Sequence, residues 1–417
     1  MDKSGQMGSL SPEQGASVLI IEPHADGHHG PYLEWMASGL AERGFRITIA
    51  TTPESLEHAS FRALGKFDEK IRIVPMSGLS HETTDHRWLG LIARELSYWR
   101  FFKKCYKDLS TDVRPDVVFL PYLDYCLYAI GLLGSPFEDR PWVGLAMRLS
   151  FHYREMDVIA PRPALANIKK KLFLRMLRNR LLRSLLTIDE PLADYLVGHG
   201  KADDKVTFFP EPVGWTDLPN RNEARDELNL SLERTLILVY GAITERKGVV
   251  KLLRAMASPA FPASVDVLLA GKQSPEIREL VREPWTTALL TEGRLICLDR
   301  FIDGREERCL FGAADIVWLG YRGHYTPSGV LAQAAAAGRP IIACKEGIIG
   351  WQAERHKLGA LVSPAQVNEI IDGINALINR EDLHEDRLPS WHYSDISTAC
   401  ELLSNALNTY RHRNGTS

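Results

Sequence analysis

The chain has 417 residues, with 50 Lys and Arg facing 53 Asp and Glu for a formal net charge of -3. At this length two domains are expected, since single domains mostly run to ~100–200 residues. The charge balance excludes a general nucleic-acid binder and a long disordered polyelectrolyte, although a near-zero sum can hide a local patch.

Residues 1–16 are polar, lack the apolar core of a signal peptide and read as a loose tail. No run approaches the ~20 apolar residues of a membrane-spanning helix. The six cysteines, scattered from Cys105 to Cys400 without a CxxC pair, read as reduced thiols. A cytoplasmic protein is expected, at most peripheral on the inner face of a membrane.

Short β-branched runs then alternate with helical stretches. Ser17–Ile21 (SVLII) precedes a Gly/His loop and an amphipathic segment, Tyr32–Arg43. The strand-like runs 46–51 and 71–74 follow, then a helical region over His86–Leu109 and strands at 116–120 and 142–147. A basic helix around Ala164–Arg180 and a strand at 185–188 complete the first half. Apolar strands spaced by helices predict parallel sheets covered on both faces. Residues 17–213 are thus expected to form one Rossmann-like domain. Positions 214–234, polar and rich in turn formers, read as a linker. The pattern restarts at 236–240 and continues through 265–270, 294–298, 316–319 and 341–343, so 235–390 forms a second domain. A last helical stretch within 391–417 is placed to cross back to the first. The fold class is α/β, with two doubly wound domains facing each other across a cleft, which is the default ligand site.

Three strand-loop-helix units could carry chemistry. In the first, Pro23–Pro31 (PHADGHHGP), Gly27 and Gly30 permit tight turning and close approach to a ligand. The spacing is not GxGxxG, and a turn using glycine for geometry alone accounts for it equally well. The second, Val239–Val250 (VYGAITERKGVV), places Arg246 and Lys247 after a strand and Gly241, at a helix start. Paired cations beside a helix N-terminus suit a diphosphate, although a solvated basic pair is the commoner fate of Arg-Lys. The third, Tyr321–Pro340, starts a small-residue helix at Ser328 and Gly329, with Ser328 as the natural N-cap.

Together these units resemble the GT-B glycosyltransferases of the group-one kind (glycosyltransferase family four), over most of residues 17–410. The resemblance implies sugar transfer from a nucleoside-diphosphate donor to an acceptor hydroxyl, with retention. Lys247 falls on the family's phosphate-binding lysine, and SGVLAQAAAAGRPIIA on its nucleotide- and sugar-holding helix, which brings in Val330. Lys205–Val213 and Thr187–Leu196 are similar to its segments ahead of the linker. Departures accompany the match. Ala242 stands where the family commonly has Arg, so Arg246 is the substitute, and the family's paired glutamates fall on Tyr325 and Gln333. Gln333 can still bond ribose hydroxyls through its amide.

No two aspartates stand two positions apart. A metal-free mechanism follows, with Arg246, Lys247 and backbone amides neutralising the leaving diphosphate and no cofactor beyond the donor. On the acceptor side the resemblance points to His152, with Asp26 and His28 as further contacts or bases. The acceptor class, whether small molecule, glycan or lipid-linked, stays open.

A basic run, Lys169–Arg183 (KKKLFLRMLRNRLLR), contains no acid. It reads either as a packed helix with a solvated basic face or as a peripheral contact with anionic lipid. Two other functions remain open: a degenerate glycosyltransferase-like partner or scaffold, motivated by Ala242, Tyr325 and Gln333, and a nucleotide-sugar epimerase on the same fold.

Overall fold

The computed structural model describes residues 15–408 apart from 68, 80–86, 199, 201–204, 216, 381–390 and 392. Of the tail expected at 1–16, residues 1–14 lie outside the described residues, as does the expected end of the C-terminal helix beyond 408, while Ala16 is buried against the first sheet's core.

Seven parallel strands build the first sheet: β1 (Ser17–Ile21), β2 (Arg46–Thr51), β3 (Ile71–Pro75), β4 (Val117–Leu120), β5 (Trp142–Ala146), β6 (Leu182–Thr187) and β7 (Val206–Phe208). Their order is β3-β2-β1-β4-β5-β6-β7. Because successive side chains alternate faces, β1 feeds two separate cores. Leu19 and Ile21 join Phe101, Phe102 and Trp142 on one face. Val18 and Ile20 join Met36, Leu40 and Phe119 on the other. This double burial is why the strands read as unbroken apolar runs.

A short strand, β8 (Pro212–Val213), leads into a second parallel sheet of β9 (Thr235–Tyr240), β10 (Val265–Ala270), β11 (Leu295–Leu298), β12 (Ile316–Leu319), β13 (Ile341–Cys344) and β14 (Gly359–Val362). Its order is β11-β10-β9-β12-β13-β14. The molecule is therefore two Rossmann-like, doubly wound units. In each, strand order reverses at one place, between β1 and β4 and between β9 and β12, and a crevice opens there at the carboxyl ends.

The two units meet through the loops at those ends. The Tyr153 hydroxyl donates to the Tyr325 carbonyl at 3.0 Å, and Trp351 Nε1 donates to the Met156 carbonyl at 2.8 Å. The Gly347 amide, at the start of the helix Gly347–Arg355, is satisfied by the Ile159 carbonyl. Farther along that helix, Gln352 and His356 bond to the buried Glu190 carboxylate of the first unit. The helix Ile396–Asn408 lies on the helix His29–Glu42, and Leu403, Ala406 and Leu407 complete a core of the first sheet. Gly39 makes that contact feasible, because a Cβ there would lie 2.2 Å from Cys400 Sγ. A final short strand, β15 (Ser394–Asp395), pairs with β8.

Three expectations change. Positions 214–234 contain a helix, Arg221–Glu227, closed by a capping box between Asn220 and Glu223. Its Ala224 is buried, and Arg225 is buried because its guanidinium donates to Asp315 at 2.6 Å and to the Ala313 carbonyl. The segment read as a linker because its partner charge is 90 residues away. The basic run is not one helix: the helix Ala166–Leu177 ends and Leu182 opens β6. Finally, the first loop is shorter than expected, since its helix already begins at His29.

Candidate functional site

The second crevice lies between the ends of β9 and β12, and Lys247 spans it. Lys247 is buried, and its ammonium donates to the Tyr240 carbonyl at 2.5 Å and to the Tyr321 hydroxyl at 2.8 Å. The indole of Trp318 bonds to the Lys247 carbonyl at 2.7 Å, fixing the turn from below. Gly248 follows with φ of +71°, and a Cβ there would lie 2.0 Å from the Gly320 carbonyl oxygen. Only glycine lets this loop approach β12 so closely. Gly241 has φ of +95°, and a Cβ added to it would stand 3.4 Å from Lys247 Nζ. The loop and the cation are thus held against each other.

Arg246 is exposed, and its Nη1 lies 3.3 Å from His324 Nδ1. Burial, then the charges of Arg246 and Lys247, push the His324 pKa down to about 4. A neutral ring fits both contacts: Nδ1 accepts from Arg246 while Nε2–H donates to the Pro327 carbonyl at 3.3 Å.

The helix Gly329–Ala336 follows β12, its N-terminus beside the crevice. Ser328 takes the N-cap position with extended backbone, yet its side chain makes no capping bond, contrary to the sequence expectation. Its first amides are therefore not closed off by their own cap. Across from them stands Glu211, whose Oε1 would lie 3.4 Å from a Cβ at Gly329 and which accepts a hydrogen bond from the Tyr32 hydroxyl of the first unit. Burial raises the Glu211 pKa. Val330 is half-buried and packs against the second sheet's core. Ala242 is exposed at the loop, with no side chain to offer.

The positions of the two missing glutamates have carboxylates beside them. The Glu346 charge, after burial, raises the Tyr325 pKa, and the Gln333 amide donates to Glu307 Oε1 at 2.5 Å. The Gln333 amide nitrogen is thereby engaged, and neither Glu346 nor Glu307 was singled out from sequence. Nothing in the run GREERC distinguishes Glu307 from Glu306.

The first crevice, between β1 and β4, has opposite chemistry. Glu22, directly after β1, is fully buried; its Oε1 accepts the His24 amide at 3.1 Å and lies 3.3 Å from His29 Nδ1, while its Oε2 has no partner among the described residues. Burial raises the Glu22 pKa. The His29 ring packs on Tyr122 at 3.8 Å between centroids, and Tyr98 stacks on Tyr125 at 4.4 Å. His24 Nε2 is 2.7 Å from the Tyr98 hydroxyl. The signal for this carboxylate in the sequence is a glutamate placed immediately after an apolar strand.

Of the acceptor-side candidates, Asp26, Gly27 and His28 are exposed on the loop above this crevice. Desolvation lowers the His28 pKa, followed by the charges of His29, Arg148 and, from the second unit, Arg246. His152 is different: it is fully buried, and its Nε2 lies 3.1 Å from Asp189 Oδ1. A ring with no solvent access holds its loop in place and is not presented to an acceptor. The sequence placed His152 after the correct strand, but only packing decided that it points inward.

Known proteins can now be compared with this geometry. Residues 234–380 match the family of glycosyl transferases group 1. That stretch contains Gly241, Arg246, Lys247, Ser328, Gly329 and Gln333. No curated protein matches the chain by sequence. Among solved structures, the sucrose-phosphate synthase of Thermosynechococcus elongatus is similar with a TM-score of 0.62 and 18% identity, covering 96% of this chain and 100% of that one. HepE of Anabaena in complex with UDP has a TM-score of 0.60 and 15% identity over 96% of this chain and 99% of its own. A UDP-GlcNAc 2-epimerase from Neisseria meningitidis, bound to UDP-GlcNAc, has a TM-score of 0.58 and 13% identity, covering 94% and 99%. At these identities the likeness is one of fold, and the fold is GT-B.

Proposed function

We propose that this protein is a glycosyltransferase of hexosyl type, moving a sugar from a nucleoside-diphosphate donor to an acceptor hydroxyl with retention and without metal or cofactor. The observation that carries this reading is Lys247 bridging Tyr240 and Tyr321 at the reversal point of the second sheet, beside an uncapped helix N-terminus. Cation and helix amides together favour a diphosphate. In the reaction the bond from the anomeric carbon to the diphosphate breaks and one to the acceptor oxygen forms. The hydroxyl proton passes to the departing phosphate oxygen. Charge develops on that diphosphate, so Lys247, Arg246 and the amides at Gly329 would stabilise the transition state more than the bound donor.

The first crevice, with its tyrosines, histidines and one buried carboxyl, suits the acceptor. The reading is tested by calorimetric titration with UDP, ADP and GDP, followed by donor turnover with and without acceptors. Failure of every diphosphate to bind would remove it.

Epimerisation of a nucleotide sugar is the second reading, since a UDP-GlcNAc 2-epimerase shares the fold. A changed sugar formed without any acceptor would favour it. A scaffold role, motivated by Tyr325 and Gln333, would be dismissed by any turnover above background. We place the protein in the cytoplasm. No helix among the described residues is long and apolar enough to cross a membrane. Peripheral contact has one specific support: Ile168, Lys171, Arg175 and Arg178 form an exposed stripe at helical spacing, near the exposed Leu132 and Leu133 of the helix packed alongside.

A further inference from the structure

The helix Gly304–Ala313 begins with an Asp303 cap and carries two glutamates in its first turn. Their surroundings differ. Glu306 is neutralised by Arg300. Glu307 has no cation within ion-pair distance among the described residues; it instead receives the Gln333 amide at 2.5 Å, and its charge acts on the neighbouring Tyr240 phenol. Burial, then the Glu307 charge, raises the Tyr240 pKa, so the phenol keeps its proton. Phe311, one turn on, packs edge-on against the Tyr240 ring at 5.2 Å and holds that ring in place.

Tyr240 joins the helix of this carboxylate to the cation site. Its carbonyl accepts from Lys247, and its ring packs on Phe311, one turn along the helix from Glu307. Lys247 and the helix that carries Glu307 therefore both lie against Tyr240, one at its carbonyl and the other at its ring. A ligand with a diphosphate at Lys247 reaches toward that helix with the group attached to the phosphate. In a nucleotide that group is ribose, whose neighbouring hydroxyls are donors. A half-exposed carboxylate, oriented by the neutral Gln333 amide and with no cation beside it among the described residues, is matched to such a pair of hydroxyls. Orientation by Gln333 leaves the carboxylate little freedom to lose on binding.

We propose that Glu307 is the residue that receives the donor's ribose hydroxyls, with Gln333 as the residue that positions it. This rests on the nucleotide-donor reading and assigns the sugar-hydroxyl end of the same crevice. Gln333 thus acts through Glu307, not through its own amide on the ligand.

The test is calorimetric binding of UDP, 2′-deoxy-UDP and inorganic pyrophosphate to the full chain and to Glu307→Gln and Gln333→Leu, with thermal melts to show each variant folded. The parent protein should prefer UDP over 2′-deoxy-UDP by roughly tenfold or more, because a site built for a hydroxyl is left unpaired without it. Glu307→Gln should lose most of that preference while pyrophosphate binding stays unchanged. Gln333→Leu should lose part of it. An undiminished preference in folded Glu307→Gln would overturn the assignment while leaving the donor reading intact. If the parent binds pyrophosphate but no nucleotide diphosphate at all, both readings fall together.

Discussion

The two crevices of this molecule share a topology and differ in charge. Each lies where a doubly wound sheet reverses its strand order. In the second, a buried lysine bridges two strand ends beside a helix N-terminus. In the first, the corresponding space holds a buried glutamate, two histidines and three tyrosines. The backbone thus supplies a pair of similar openings, and the residues just past the strand ends decide what each receives. A crevice that carries cations attracts a diphosphate. A crevice of aromatic rings and carboxyls offers hydrogen bonds to uncharged hydroxyl ligands.

The comparison can be broken most severely at the frame of the second unit. Asp315 binds Arg221, Arg225 and the Leu236 amide, so it joins the helix Arg221–Glu227 to the start of β9. Asp315→Ala leaves Arg225 buried and unpaired and should destabilise by about 3–5 kcal/mol. Hydrogen exchange should show faster opening of β9 and β12 before β1 and β4. Equal protection loss in both sheets would mean that the units do not differ in this way.

Lys247→Ala removes the charge that defines the second crevice. Charged hydrogen bonds contribute about 1.5–3 kcal/mol, so diphosphate affinity should fall by roughly 10- to 150-fold in calorimetry. The aromatic cluster around His29 should keep its chemical shifts.

The first unit should carry the acid-range dependence of stability. The Glu95 carboxyl, which accepts the Ala129 amide, has its pKa raised by burial to about 7. Between its ordinary value and about 7 the folded state binds this proton more tightly than the unfolded state does. Stability is therefore greatest below that window and is lost as pH rises through it, by at most about 3 kcal/mol before solvent screening. Glu95→Gln should flatten the corresponding slope in Tm measured from pH 4 to 8.

The smallest effect is a proton. His324 is held down by burial and by the cations of the second crevice, and a bound diphosphate would offset those charges. Its pKa should rise, so binding at about pH 5 should take up a fraction of a proton, read by titration in buffers of differing ionisation enthalpy. No uptake would separate His324 from the diphosphate.

Much of this arrangement was legible before folding was considered. Alternating strands and helices, the two-unit division and the loop around Lys247 all rest on local pattern, since each involves residues within about one strand-loop-helix unit. The same locality explains the failures. Arg225 read as linker because its partner is Asp315. His152 read as an acceptor contact because nothing local revealed that Asp189 would enclose it.

By itself, then, the sequence determined the fold class, the two units and the cation-bearing turn, because hydrophobic period and glycine placement act over short distances. The tertiary structure alone decided which carboxylates face which crevice. Glu307 meets Gln333, Glu346 meets Tyr325 and Glu211 meets the Gly329 helix across separations in sequence that no local pattern records. Those pairings arise because parallel sheets bring distant strand ends to one edge, where charge and hydrogen bonding are settled between neighbours in space.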